Sequence, residues 1–231
     1  MALKILEIKQ LPNQGNAKVQ FIRIDPEDIS ITLSEILKVI MDLSWLKNFD
    51  ADFIAQSYEQ RAEITINDIK KKFATCDEGK LTKEAGEYVV SELAREALIS
   101  QLGYLDIPLA ELLGKKTSGN PGFDFHSQNT STDTIIFGEA KYIAKKSAYQ
   151  RAIEQIKEFV DAKKDIADLA DLRDFCTNNA LVRASSGMKG FAAAFSAKST
   201  SSDRLIASIT ADSDFKELLK HEEVILVAVN L

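Results

Sequence analysis

The spacing of apolar positions changes several times along the chain, and each change predicts an element. Leu3 to Leu11 and Lys18 to Ile24 alternate or cluster β-forming residues around the turn-forming run Pro12-Asn13-Gln14-Gly15-Asn16. Together they predict an N-terminal hairpin. Beyond Pro26-Glu27-Asp28, Thr32 and Glu35 have the spacing of a capping box, and Ile36, Leu37, Ile40, Leu43 and Leu46 follow at helical intervals. Further helical material covers Asp52 to Arg61 and Asn67 to Phe73, and Cys76 to Lys80 reads as a junction. Thr82 then caps a helix whose packing stripe is Ala85, Val89, Leu93 and Leu102 and which Gly103 ends.

Three strands are predicted next, over Ala110 to Thr117, Gly122 to His126 and Thr134 to Ala140, with loops rich in Ser, Gly, Asn and Thr between them. A long helix from Ser147 to Lys163 presents Tyr149, Ile153, Ile156 and Val160, and Asp165 to Asp174 continues it. Gly190 to Ala197 and Glu223 to Asn230 read as late strands, with a short helix over Asp214 to His221 between them. This order predicts an α/β fold in which a central mixed sheet is flanked by the Thr82 and Ser147 helices. It divides the chain into an N-terminal hairpin and helical region, 1–80, and a core, 81–231.

Composition narrows the reading. The 231 residues are 45% hydrophobic, enough for a substantial core, and carry a formal charge of −6 with a pI of about 5.1. An acidic chain does not coat nucleic acid with its whole surface, though it can hold a local basic groove. Cys76 and Cys176 have no metal-ligand spacing and, as two isolated thiols, point to a reducing cytoplasm. The N-terminus lacks signal-peptide architecture, and no apolar run approaches a membrane span. Two histidines, His126 and His221, cannot build a multi-His zinc site; His126, two residues after Asp124, is placed to approach a metal there. Gly114-Lys115-Lys116-Thr117 lacks the upstream glycine of a phosphate loop, since Leu109 stands in its place.

The chemistry concentrates in Gly122-Phe123-Asp124-Phe125 and Ile135-Ile136-Phe137-Gly138-Glu139-Ala140-Lys141. Glu139 and Lys141, two apart, leave one face of a strand, and Asp124 on a neighbouring strand brings a third charge to the same end of the sheet. Charges buried in a sheet are costly unless paired or metal-bound. A hard cation resolves that cost: Mg²⁺, with Mn²⁺ as substitute, takes one or two carboxylates together with water and phosphate, here from Asp124 and Glu139. Lys141 then orients the attacking water and offsets charge in the transition state.

This arrangement resembles the PD-(D/E)XK nuclease superfamily, with Asp124 as the motif aspartate and Glu139-Ala140-Lys141 as its E-x-K. The likeness spans Thr82 to Phe159 and departs from the family where Pro121 and Asp124 are not adjacent. Two other E-x-K triplets, Glu7-Ile8-Lys9 and Glu78-Gly79-Lys80, lack an upstream acid or a strand. The resemblance implies a restriction-endonuclease-like core, hydrolysis of DNA phosphodiester bonds with Mg²⁺, and a glutamate on the first core helix, which Glu87 of Gly86-Glu87 matches as catalytic residue and metal ligand. It also implies a polar residue on the helix after the E-x-K strand, which Gln150 matches. The fuller pattern, with Phe137-Gly138-Glu139-Ala140-Lys141-Tyr142, is similar to the HamA-like nuclease subunits of Hachiman antiphage systems and implies a helicase partner. A stand-alone restriction endonuclease and a non-catalytic regulatory or DNA-binding subunit remain the alternatives. Lys115, Lys116, Lys145, Lys146 and Arg151, with Gln150, form a local basic zone suited to phosphate contacts, to which Lys189 and Lys198 can add.

Overall fold

The computed structural model describes residues 3–76, 80–114, 122–143, 148–197 and 200–231. The first two strands, β1 (Ile5–Gln14) and β2 (Ala17–Ile24), form the expected hairpin, with Gly15 at φ +75° in its turn. Three helices follow: α1 (Ile29–Met41), α2 (Asp52–Ala74) and α3 (Lys83–Leu102), with a 3-10 turn, Ser44–Asn48, between the first two. Then come β3 (Phe125–Asn129), β4 (Thr134–Lys141), α4 (Ala148–Asp161), α5 (Lys164–Leu172), α6 (Asn178–Ser185), β5 (Gly190–Ser196), α7 (Ser202–Ala211), α8 (Ser213–Leu218) and β6 (Glu223–Val229).

The six strands form one mixed sheet in the order β1-β2-β6-β5-β4-β3. Its interior, β2, β6, β5 and β4, is parallel, and the edge strands β1 and β3 are antiparallel to their neighbours. Every residue of β5 and β6 is buried, as their near-continuous apolar runs require of strands covered on both faces. One face packs Ile22, Ile136, Ile225 and Val227 against α1, α2 and α3 through Ile36, Ile69, Val89 and Leu93. The other packs Phe21, Phe137, Phe191 and Leu226 against Ile153, Ile156, Leu172, Ile209 and Phe215 of the later helices. The molecule is therefore a helix–sheet–helix sandwich. β2 runs beside β6 from Lys18–Glu223 to Ile24–Val229, so the hairpin and the late strands share one sheet.

Several local expectations change. Asp28, not Thr32, caps α1: its carboxylate accepts from the Ile31 amide at 3.0 Å, while the Thr32 hydroxyl donates back to the Asp28 carbonyl from inside the helix. The capping-box spacing was real, but an aspartate one turn earlier closes the helix end first. α2 is one continuous helix rather than two, and α6 and α7 occupy stretches for which the sequence pattern predicted no element. For α3 both caps stand as expected, with Thr82 accepting from the Ala85 amide and Gly103 at φ +68°. The strand expected over Ala110 to Thr117 does not form in its described part: Ala110 to Gly114 is a turn, with Gly114 at φ +84°, and 115–117 lie outside the described residues. Among the described residues only β3 and β4 lie between α3 and α4. No helix among them is long and apolar enough to cross a membrane.

Candidate functional site

The candidate site forms where β4 ends. β3 does not run alongside the last residues of β4, because the chain bends at Asp124: Phe123 packs with the aromatic rings of the α4 face, and Phe125 turns to the α3 face. Glycine makes the second turn possible. A Cβ on Gly138 would lie 2.3 Å from the Phe125 ring, so the ring crosses β4 where no side chain opposes it. In place of a continuing strand, the Asp124 carboxylate accepts the Ala140 amide at 2.8 Å, and the Asp124 amide donates to the Gly138 carbonyl at 2.8 Å. Asp124 thus sits at the edge of β4 beside the peptide between Glu139 and Lys141.

Those two residues pair with each other, Lys141 Nζ lying 2.6 Å from Glu139 Oε1, with Glu139 buried and Lys141 nearly so. Strand register sets both opposite Ala193 and Phe195, on the α4 face. Glu87 approaches from the opposite layer. A Cβ on Gly86 would fall 2.2 Å from the Tyr142 ring, so the ring of the residue after Lys141 lies directly on the α3 backbone. That close approach brings Glu87 to the end of β4. The Lys141 ammonium registers the convergence: burial acts to lower its pKa, but Glu139, Asp124 and Glu87, in falling order of pull, leave it above the ordinary lysine value.

Glu87 and Asp124 also line a cavity of about 190 Å³ together with Glu84, Ser91, Glu111, Tyr88 and Lys72. Glu111 was missed from the sequence because its segment resembled a strand. The turn that carries it is tied to the site by the Ala110 amide, which donates to the Asp124 carbonyl at 3.2 Å. The buried glutamate is thereby delivered to the same cavity as Glu87. Its only sequence signal was an acid just ahead of Leu112-Leu113-Gly114.

The outer residues fare differently. Lys115, Lys116, Lys145, Lys146 and Lys198 lie outside the described residues. Gln150 and Arg151 are exposed on α4, and Arg151 is engaged by Glu154 at 2.8 Å and Glu158 at 3.1 Å on its own helix. Lys189 is buried in an ion pair with Asp165, which removes it from any phosphate-binding surface. His126 turns to the α4 face, whereas Asp124 lines the cavity on the α3 side. The bend at Asp124 breaks the alternation that placed them together, and the imidazole pairs with Asp168 of α5 at 3.0 Å, against Phe123 and Phe137.

Asp124 and Glu139 offer the hard oxygen donors that a small divalent cation takes when water completes its shell. Among the described residues no three Asp, Glu, His or Cys side chains are grouped to hold a metal by themselves. Compared with family models, with curated proteins and with solved structures, the chain matches none.

Proposed function

We propose that this chain is a Mg²⁺-dependent nuclease of the PD-(D/E)XK type, hydrolysing DNA phosphodiester bonds, with a helicase subunit as partner in antiphage defence. The observation that carries the reading is the gathering at the end of β4: Lys141 pairs with buried Glu139 at 2.6 Å, Asp124 accepts the Ala140 amide between them at 2.8 Å, and Glu87 lines one cavity with Asp124. Asp124 and Glu139 would hold the cation, with Glu87 completing the acidic side through water. When bound, the cation supplies charge neutralisation at the scissile phosphate and lowers the pKa of attacking water. Lys141, kept protonated by its neighbours, acts as a cation: it orients the water and donates to a phosphate oxygen as charge builds there. It is not the base, because a raised pKa disfavours giving up its proton at neutral pH.

Plasmid nicking tests this. With Mg²⁺ or Mn²⁺ the wild-type chain, with its partner if required, converts supercoiled to relaxed plasmid, EDTA stops it, and Glu139→Ala lowers the rate by roughly 10² to 10⁴-fold. Equal nicking by both proteins removes Glu139 from the mechanism.

A second reading, a non-catalytic subunit on the same scaffold, draws on the direct neutralisation of Glu139 by Lys141 and on the commitment of one Asp124 oxygen to the Ala140 amide. Calorimetric titration separates the two. The nuclease reading expects Mn²⁺ binding that Asp124→Ala abolishes, and the scaffold reading expects none.

A further inference from the structure

A larger cavity, about 640 Å³, lies away from the acidic cluster, between the end of α1, the 3-10 turn, α3 and the 105–112 segment. Its volume is in the range of small-molecule sites, and its walls combine the leucines of the 105–112 segment and Trp45 with polar and charged side chains in equal measure. We propose that it binds a small organic anion with a flat apolar body, seated against Trp45 with its carboxylate or phosphate on Arg95 and Lys38.

Arg95 sets the polarity. It is buried on α3 and held from below by Glu92, which accepts from Nε at 3.0 Å and from Nη2 at 2.6 Å. Burial acts to lower its pKa, but Glu92 and Asp106 raise it, so it is always a cation. Its remaining nitrogen, Nη1, meets the Ile107 carbonyl at 3.3 Å and the carboxylate of Asp106. The two carboxylates are not equivalent. Glu92 is 1% exposed, whereas the Asp106 side chain is 66% exposed. Asp106 can swing into water at little cost, and a ligand anion can take its place on Nη1 while the Glu92 fork stays closed. Lys38 stands exposed at the rim with a second positive charge, Asn48 adds an amide, and the exposed Asp42 on the same rim accepts from the Ser44 amide at 2.9 Å. Trp45 lines the cavity, and its indole N–H is buried with no hydrogen-bond partner among the described residues. A buried donor left so is destabilising unless something accepts from it.

Trp45 is the chain's only tryptophan, so tryptophan emission comes from a residue in the cavity wall. The full chain is titrated with AMP, benzoate, adenosine and inorganic phosphate. AMP serves for a phosphate ligand and benzoate for a carboxylate. The expected result is a saturable change in emission with AMP or benzoate, with adenosine and inorganic phosphate at least about tenfold weaker because each lacks half of the required chemistry. Lys38→Ala weakens binding about three- to fivefold, and Asp106→Asn, which removes the internal competitor, tightens it about fivefold. Both positions are exposed at the side chain, so folding is not at stake. The proposal is overturned by equal affinity for AMP and adenosine, by no saturable change with any probe up to about 10 mM, or by an affinity that neither substitution alters.

Discussion

Among the described residues two lysine–carboxylate pairs are buried, and they stand at opposite ends of the same pair of strands. Lys141 closes β4 and meets Glu139; Lys189 immediately precedes β5 and meets Asp165 of α5. The difference lies in the charge around each. Lys189 has His221 beside it, whose pKa is lowered by its own burial and then by that lysine, so the imidazole is neutral at neutral pH and one cation faces one anion. Lys141 has Asp124 and Glu87 in addition to Glu139. A balanced pair needs nothing more and serves as a tie between α5 and β5. A pair with two further carboxylates around it, at the carboxyl end of a parallel strand, stands at the end of a sheet where α/β folds bind their ligands.

The comparison is sharpened first by Asp165→Ala. Stranding the Lys189 ammonium in the interior lowers stability by roughly 3–5 kcal/mol in urea unfolding, while nicking by the folded fraction is unchanged. A large loss of activity at full occupancy of the folded state would erase the distinction between the two ends. Next comes Asp124→Asn, in which the amide oxygen keeps the Ala140 bond but the charge is gone. Nicking falls by roughly 10² to 10³-fold while the urea midpoint hardly moves, the reverse of the Asp165 result. Gly86→Ala ranks third. Its Cβ would collide with the Tyr142 ring at 2.2 Å, displacing the ring and costing roughly 1–3 kcal/mol as an overpacked contact. Some nicking is lost with it as Glu87 is pushed from β4.

The smallest effect is a pH dependence. The folded pKa of Lys141 stands above its ordinary value of 10.5. Its pairing therefore contributes stability that is complete below that value and is lost as pH rises through the folded pKa. Between neutrality and strong alkali the wild-type protein should lose stability more steeply than Lys141→Met, measured by urea unfolding at each pH. Parallel curves would mean that the carboxylates exert no net hold on the ammonium.

The elements around the site were legible to different degrees, for identifiable reasons. The caps of α3 were readable because Thr82 and Gly103 act through local backbone geometry. The end of α1 misled because two polar residues four apart can each cap, and only the path of the chain from β2 decides between Asp28 and Thr32. His126 was misplaced for a similar reason: period-two alternation holds within a strand, and the bend at Asp124 breaks it. Glu111 was invisible because a turn of apolar residues under a helix has the same composition as a short buried strand.

Local sequence alone determined the apolar strands, the helix caps and the spacing that puts Glu139 and Lys141 on one strand face, since these depend on neighbours within a few residues. Tertiary structure decided that Asp124 would end a strand by taking the place of a missing neighbour, and that Gly86 and Gly138 would each yield their side-chain space to an aromatic ring. It also decided that Lys141 has carboxylates from a strand, a bend and a helix around it. The physical reason is that close approach and charge balance depend on which groups share a volume, and the groups here come from segments far apart in the chain.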